Sequence, residues 1–562
     1  MAYGYRYDEV PLTLPSIKTD LRISVPREVD LERRVPTQVS LGCHVEGVAC
    51  PHPDPVDPWS MLAGVCKRFG VAVPKADPAA LDRLRAFVRK YVRENYVPLS
   101  PDADTSVPTW LENTAYPAWR KAELLSKYEK TEDPNDPRHA RCKAFMKDET
   151  YGEFKFNRGI NARSDEFKCM VGPIFKLIES EVYKDSHFIK HIPVAERPAY
   201  ITAKLQHFLK VYASDYTAFE ALFVETLMTT VEFELYEYMT QHLPEGREFM
   251  TRCREVLGGE NECNYRDFQV KLRAVRMSGE MCTSLGNGFS NLMFMLFVCT
   301  ELGSTHIDGV VEGDDGLFGI DGPAPSQSDF AKLGLVIKLE EHDRLSSASF
   351  CGIVFDEVDQ LNVREPYEVL ATFGWTSQRY AKSNSKILKA LLRCKALSLA
   401  HQYPGCPIVS ALARYGLRVT DDVRACKVLR VINGRGAMNA WEREWALELM
   451  AKGVPRTIEP PIRTRLLVEE KFGVPVYEQL IIEKYLDGLT TLQPLRIDTT
   501  FMPSSWKVYW DTYVQVPLDL ERPILHVTKT GLDVLSLFVR KGRWLVPKMS
   551  VPPGTGCREK VK

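Results

Sequence analysis

The 562-residue chain has no CxxC pair and no regular cysteine framework; its 14 cysteines are scattered. A disulfide scaffold is excluded on that ground, and reduced thiols in a cytosolic protein are the natural reading. One-sided charge is lacking too: 73 Lys+Arg stand against 74 Asp+Glu, a formal net charge of -1. At whole-chain scale this balance speaks against a polyanionic partner. Met1 to Asp20 has no basic start followed by an apolar stretch, so a signal peptide is not expected. The longest weakly polar stretch, Asn287 to Thr300, contains Ser290 and Asn291. It falls short of the ~20 residues a membrane span needs. Solenoid or propeller periods and low-complexity runs are absent. Gly (34) and Pro (36) are too few and too irregular for collagen.

What is present is ordinary globular material, 44% apolar and 26% charged. The length suits three to four domains of about 150 residues, or one large multi-lobed body. Much of the N-terminal part is Pro-rich, as in Pro51-His52-Pro53-Asp54-Pro55, and predicts an extended arm over other lobes. Ala79 to Glu94 predicts a helix within it. Cys43, His44, Cys50 and His52 supply zinc-type ligands, but their spacing matches no common zinc module. A loop with buried thiols is expected there. The tail from Pro547 to Lys562 is Pro/Gly-rich, then basic, and is expected to be mobile.

The neutral total conceals two blocks. Val211 to Val270 holds 12 carboxylates and 4 Lys+Arg; Ala371 to Thr420 holds eight Lys+Arg and no carboxylate. Lys382, Lys386, Lys389 and Arg393 recur at steps of four, three and four, with Ile387, Leu388, Leu391 and Leu392 between them. That spacing predicts an amphipathic helix with a basic stripe suited to phosphates.

Chemistry concentrates in three segments. Asp308 to Gly319 places Gly313-Asp314-Asp315-Gly316 between two β-prone runs, predicting a hairpin with an acidic turn. Alone, Asp and Gly are only good turn residues. A second acid, Asp215, ends the strand-like Lys210-Val211-Tyr212-Ala213-Ser214. Carboxylates on separate strands can hold two hard cations about 4 Å apart, the arrangement phosphoryl transfer uses. Between these lies Arg276-Met277-Ser278-Gly279-Glu280-Met281-Cys282-Thr283-Ser284-Leu285-Gly286-Asn287, a small-residue loop entering an apolar helix. Thr283 and Asn287, four apart, share a face of it.

Together these segments resemble viral RNA-dependent RNA polymerases of the tombus-like and flavivirus-like lineage of positive-strand RNA viruses. The resemblance covers roughly Thr105 to Phe355. Asp215 matches the metal acid of motif A, the string RMSGEMCTSLGN matches motif B, and Gly313-Asp314-Asp315 matches motif C. Leu333 to Lys338 is similar to motif D, and Ser349-Phe350-Cys351-Gly352 to the primer-gripping motif E. Ala144 to Lys147, with Lys155, Arg158 and Arg163, resembles the basic motif F; Trp110 to Tyr116 with Arg120-Lys121 is similar to the template-guiding region before it. One departure stands out: Glu220 occupies the position where the family has Asp. It keeps the carboxylate and extends its reach by one methylene.

The resemblance implies an α+β right-hand polymerase: fingers, a palm with a small antiparallel sheet backed by helices, and a mainly helical thumb. N-terminal arm and fingers would span 1–195, the palm 196–227 and 276–364, a fingers return 228–275, and thumb and tail 365–562. Asp215 and Asp314, with Asp315, would hold two magnesium ions, Mn2+ serving as substitute. Lys155, Arg158 and Arg163 would neutralise the triphosphate, and Lys338 would protonate pyrophosphate. Glu220 and Asn287 would read the ribose, with Ser278 and Thr283 positioning template and nucleotide. Lys147, Ser278, Gly279, Cys351 and the Lys382/Lys386/Lys389/Arg393 stripe would contact RNA. Implied partners are template and nascent RNA, ribonucleoside triphosphates and other viral replication proteins. The implied setting is the host cytoplasm, at membrane-associated replication complexes. Rival readings are a reverse transcriptase, against which Glu220 and motif B argue, and a catalytically silent RNA-binding scaffold of the same shape. A metal-dependent nuclease shares the paired carboxylates but requires neither the Ser-Gly loop nor the basic region.

Overall fold

Four antiparallel strands carry the acids. In the computed structural model, which describes residues 1–6, 17–25, 35–434, 440–453 and 458–514, these strands are Val211–Tyr216, His306–Glu312, Asp315–Asp321 and Ile337–His342. Their spatial order is 337–342, 211–216, 315–321, 306–312. The 306–312 and 315–321 strands form the expected hairpin, closed by the pair Glu312 and Asp315. The two residues of its turn are Gly313 and Asp314. Gly313 sits at φ +63, where a side chain would be strained.

Behind the sheet lies helix Thr283–Leu302, the long apolar run of the sequence. It is buried almost all round, polar Asn287, Ser290 and Asn291 included. Gly303, at φ +79, ends it, donating to Cys299 and Thr300 carbonyls. Val88, Ile178, Phe289, Met293 and Phe318 join this helix, the sheet and helices Pro78–Asn95 and Asp165–Val182 in one core. Burying each such side chain is worth roughly 1.5–3 kcal/mol. The 78–95 helix starts on an Asp77 cap and buries Ala80, Leu84, Val88 and Val92 at steps of four.

A second, five-stranded sheet follows the order 22–24, 269–273, 260–264, 142–146, 159–163, with one parallel pairing between 142–146 and 260–264. The fold is therefore mixed α+β with small, mainly antiparallel sheets. The N-terminal segment crosses to the far end of the chain. Pro36–Ser40 pairs with Trp375–Ser377, Val45 bridges Leu495, and Ala2 bridges Val514. Leu41, Cys43, Val45, Val48 and Cys50 share a core with Val354, Leu392, Leu412 and Trp506.

The basic helix runs from Ser385 to Gln402. It starts later than its spacing suggested, because the Asn384 side chain caps it by accepting from the Ile387 N–H at 3.1 Å. Lys382 thus lies outside the helix. Among the described residues, no helix is long and apolar enough to cross a membrane. The tail 547–562 lies outside the described residues.

Candidate active site

The acids meet at one end of the central sheet. Ser214 pairs with Gly316, so Asp215 stands one residue beyond, next to the acidic turn, and is exposed. Asp314 and Asp315 are half-buried. Burial raises the pKa of Asp314, and the charges of Glu220 and Asp215 raise it further. Asp315 is pushed up to about 6, first by burial, then by Asp314. The Cys351 thiol donates a hydrogen bond to the Asp315 carboxylate, which opposes that rise.

Several groups hold this arrangement. Asn291 Nδ2 donates to the carbonyl oxygens of Asp315 (3.0 Å), Asp314 (3.1 Å) and Gly313 (3.4 Å). A Cβ on Gly316 would meet Ser214 Oγ at 2.6 Å and Asn291 Nδ2 at 3.2 Å, so glycine is required for this approach. Cys351 and Gly352 have φ of +52 and +71 in a tight turn closed by Phe350 and Ile353, the two positive values a type I′ turn demands. The strain at Cys351 holds its thiol against Asp315.

Positive groups face the acids. Lys338 lies directly opposite Asp215 in the strand register and is exposed; its ammonium also pairs with Glu340. Both carboxylates raise its pKa, Glu340 foremost. Arg68, from helix Pro58–Arg68, reaches both oxygens of Glu220 at 3.5 Å. Glu220 was expected to act with Asn287, yet among the described residues no hydrogen bond joins them. Arg68 takes the carboxylate, and among the described residues the buried Asn287 Oδ1 has no partner. Ala218, at φ +51, makes the tight exit from the Asp215 strand that brings Glu220 round.

The Ser278-Gly279 turn adjoins the second sheet. Ser278 O accepts from the Asn161 N–H at 2.7 Å, and a Cβ on Gly279 would meet Ile160 at 3.0 Å. Gly279 is exposed at φ +108, and Thr283 Oγ1 donates to Met277 O at 3.3 Å. In the basic segment, Lys155 is exposed and pairs with Glu153 at 2.8 Å, while Lys147 pairs with Glu149 at 3.4 Å. Arg158 makes a two-point contact with Glu149 at 2.7 and 2.8 Å. Arg163 does not face a ligand. It is 3% exposed, and its guanidinium is committed to Glu280 and Asn261. Its neighbour in sequence pattern was charge; its neighbour in space is a buried carboxylate.

The basic stripe divides likewise. Lys382 and Lys386 are exposed. Lys389 pairs with Asp422 at 3.1 Å, and Arg393 donates to Leu417 O and Thr420 O at 3.1 and 2.9 Å, closing the end of helix Val409–Arg418. Carboxylates absent from the 371–420 window arrive from outside it. In the Cys/His cluster, Cys43 and Cys50 are buried, His44 Nδ1 lies 2.6 Å from Ser40 Oγ, and His52 Nε2 lies 2.9 Å from Asp148.

Asp215, Asp314 and Asp315 offer anionic oxygen donors, the set hard divalent cations take. Burial first, and then the crowding of Asp215, Asp314, Asp315 and Glu220, press the Asp314 and Asp315 pKa values upward, and a divalent cation would relieve both, so the donor set fits such a cation. Among the described residues, no three His, Cys, Asp or Glu side chains converge as a ready-made metal cage.

Asn291, Arg68 and Glu280 were missed from sequence. Asn291 had one visible signal: it lies four residues after Asn287, so both polar groups share a face of an otherwise apolar helix. No family model matches the chain, and no curated protein matches it.

Proposed function

We propose that this protein is a template-directed RNA polymerase that copies viral RNA from ribonucleoside triphosphates. The observation that carries the reading is the meeting of Asp215 with the Asp314-Asp315 turn on neighbouring antiparallel strands, with Lys338 directly opposite Asp215. In this reading the architecture is a right hand. The acid-bearing sheet is the palm, the parts before it are fingers, and residues from about Glu365 form the thumb.

Asp215 and Asp314 would hold Mg2+, or Mn2+ in its place, with Asp315 assisting. When bound, two such ions lower the pKa of an attacking 3′-hydroxyl and offset charge on the leaving pyrophosphate. The protein's own groups do the rest. Asn291 fixes the acidic turn. Lys155 and Arg158 offer positive charge to the triphosphate, Arg158 by exchanging Glu149 for phosphate. Lys338 stands beside the acids as proton donor to pyrophosphate. Glu220 and Asn287, with Arg68, provide polar groups for a 2′-hydroxyl, which donates and accepts hydrogen bonds. Lys147, Ser278, Gly279, Lys382 and Lys386 contact RNA backbone, leaving base choice to template pairing. Such a chain would work with other viral replication proteins at membrane-associated sites in the host cytoplasm.

Primer extension on a defined RNA template tests the reading, with wild type and Asp314→Ala side by side. The expected result is wild-type synthesis and a loss of about a thousandfold or more in the variant. Near-normal synthesis by Asp314→Ala sinks the two-metal assignment. RNA binding without any synthesis by wild type favours a silent scaffold, and preference for deoxyribonucleotides a reverse transcriptase.

A further inference from the structure

Four charged side chains are buried beside the Ser278-Gly279 turn. Arg276 and Glu232 are 0% exposed, Arg163 3% and Glu280 9%. Arg276 Nη2 donates to Glu232 Oε1, and Tyr236 OH donates to Glu232 Oε2 at 2.9 Å. The Phe223 ring faces the Arg276 guanidinium at 4.9 Å. Arg163 Nε and Nη2 donate to Glu280 Oε1 at 3.0 and 2.7 Å. Between the two pairs stands Cys282, its sulfur 3.4 Å from Arg276 Nη1 and 4.0 Å from Glu280 Oε2. A Cβ on Gly286 would fall 2.4 Å from Glu232 Oε2 and 2.8 Å from Arg276 Nη2, so the start of the 283–302 helix packs on the same group.

Stability alone does not account for this cluster. Buried ion pairs are often no more stabilising than apolar side chains of the same volume. Their placement is informative instead. Arg276 and Glu280 bracket the half-exposed Ser278 and the exposed Gly279. The Arg276 N–H donates to Glu220 O at 3.2 Å, tying one end of the turn to the segment after Asp215. Arg163 sits on the strand whose Asn161 N–H holds Ser278 O, tying the other. The two pairs run to different partners, one on helix Glu232–Thr240 and one on the second sheet.

We propose that the Glu232–Arg276 and Arg163–Glu280 pairs are positioning elements that clamp the two ends of the Ser278-Gly279 turn, setting where it meets the template and nascent strand. The proposal rests on the polymerase reading for what the turn touches, but not for the clamp itself. The clamp leaves the tip free to contact RNA while one stem stays fixed to the 232–240 helix and the other to the second sheet. Loosening it would cost substrate positioning before it cost chemistry at the acids.

The test replaces one pair by apolar groups of similar volume, Arg163→Met with Glu280→Leu. The double variant leaves no charge stranded but takes the donor from Asn261 Oδ1 and from the Ala140 and Val256 carbonyls, so it is expected to stay folded and melt several degrees below wild type. Amide hydrogen exchange across residues 277–281 is expected to speed up about tenfold or more as local openings become easier. In primer extension, KM for the RNA substrate is expected to rise about tenfold with kcat nearly unchanged. A folded double variant with wild-type exchange overturns the clamp. Wild-type KM beside faster exchange overturns its role in positioning. If the double variant does not fold, Glu280→Asp, which keeps the charge and shortens the reach, is read by the same exchange measurement. Wild-type protein that makes no RNA sinks the polymerase reading, and exchange still decides the clamp.

Discussion

Asn291 Nδ2 lies 3.1 Å from the carbonyl oxygen of Asp314 and within reach of those of Asp315 and Gly313. One buried amide on the helix therefore sets the backbone of the acidic turn. Asn291→Asp keeps the shape, removes the donor and turns a carboxylate toward three carbonyls. The expected cost is ~1–3 kcal/mol, seen as a lower melting temperature. The Mg2+ concentration needed for half-maximal extension is expected to rise as the acids lose their register. A folded variant with an unaltered Mg2+ titration removes Asn291 from the positioning role.

The acids also predict how metal and pH combine. Asp315 is held at about 6, above the usual carboxylate value of about 3.9 in an unfolded chain. Folding therefore favours its protonated form. Its contribution to stability is complete below about pH 4, fades as pH rises through about 6, and is absent at neutral pH. A divalent cation offsets the crowded charge only where the acids are ionised. Mg2+ is expected to raise the melting temperature by a few degrees at pH 7.5 and hardly at pH 5. Asp314→Asn with Asp315→Asn is expected to melt higher than wild type without Mg2+ and to lose the Mg2+ shift. Equal Mg2+ shifts at both pH values, or in the double variant, contradict this account.

What the sequence made legible was local. The 306–321 hairpin follows from a Gly-Asp turn between β-prone runs, and the helix expected over Ala79 to Glu94 follows from its residue spacing; the structure extends it to Pro78–Asn95, starting on an Asp77 cap. What stayed hidden depends on long-range pairing. Arg68 is 152 residues from Glu220, and Arg163 is 117 from Glu280. No window around either arginine contains its partner, so an arginine that serves a ligand and one that closes a buried pair read alike. The same holds for Cys351, whose contact with Asp315 needs a positive φ that residue type does not announce. Asp215 was legible because an acid follows the strand-like Lys210-Val211-Tyr212-Ala213-Ser214, although the strand runs one residue further to Tyr216; its cross-strand partner Lys338 needed the register.

Lys338 gives a test that separates charge from proton transfer. Its exposure and its pairing with Glu340 make it unimportant for stability. Lys338→Gln is expected to leave the melting temperature unchanged and lower kcat about tenfold or more, with little change in KM. Arginine keeps the charge but does not give up a proton near neutral pH. Lys338→Arg is therefore expected to stay as slow as Lys338→Gln. Recovery of kcat by arginine would assign Lys338 a purely electrostatic part opposite Asp215.

The basic stripe separates into two classes of residue with opposite signatures. Lys382 and Lys386 are exposed, so each can release counterions from RNA phosphates. Lys382→Ala with Lys386→Ala is expected to weaken RNA binding at low salt. The slope of log affinity against log salt is expected to shrink by about 1–2, since each phosphate contact contributes roughly 0.7 to 0.9. Arg393 is expected to behave otherwise, because its guanidinium closes the carbonyl end of the 409–418 helix at 2.9 and 3.1 Å. Arg393→Ala leaves the carbonyls of half-buried Leu417 and buried Thr420 without their donor and is expected to cost ~1–3 kcal/mol of stability. Its salt slope is expected to match wild type. Affinity measured across a salt series, with melting curves for both variants, decides the assignment: a shallower slope for Arg393→Ala, or an unchanged one for the lysine pair, would move the RNA track to the other side of the helix.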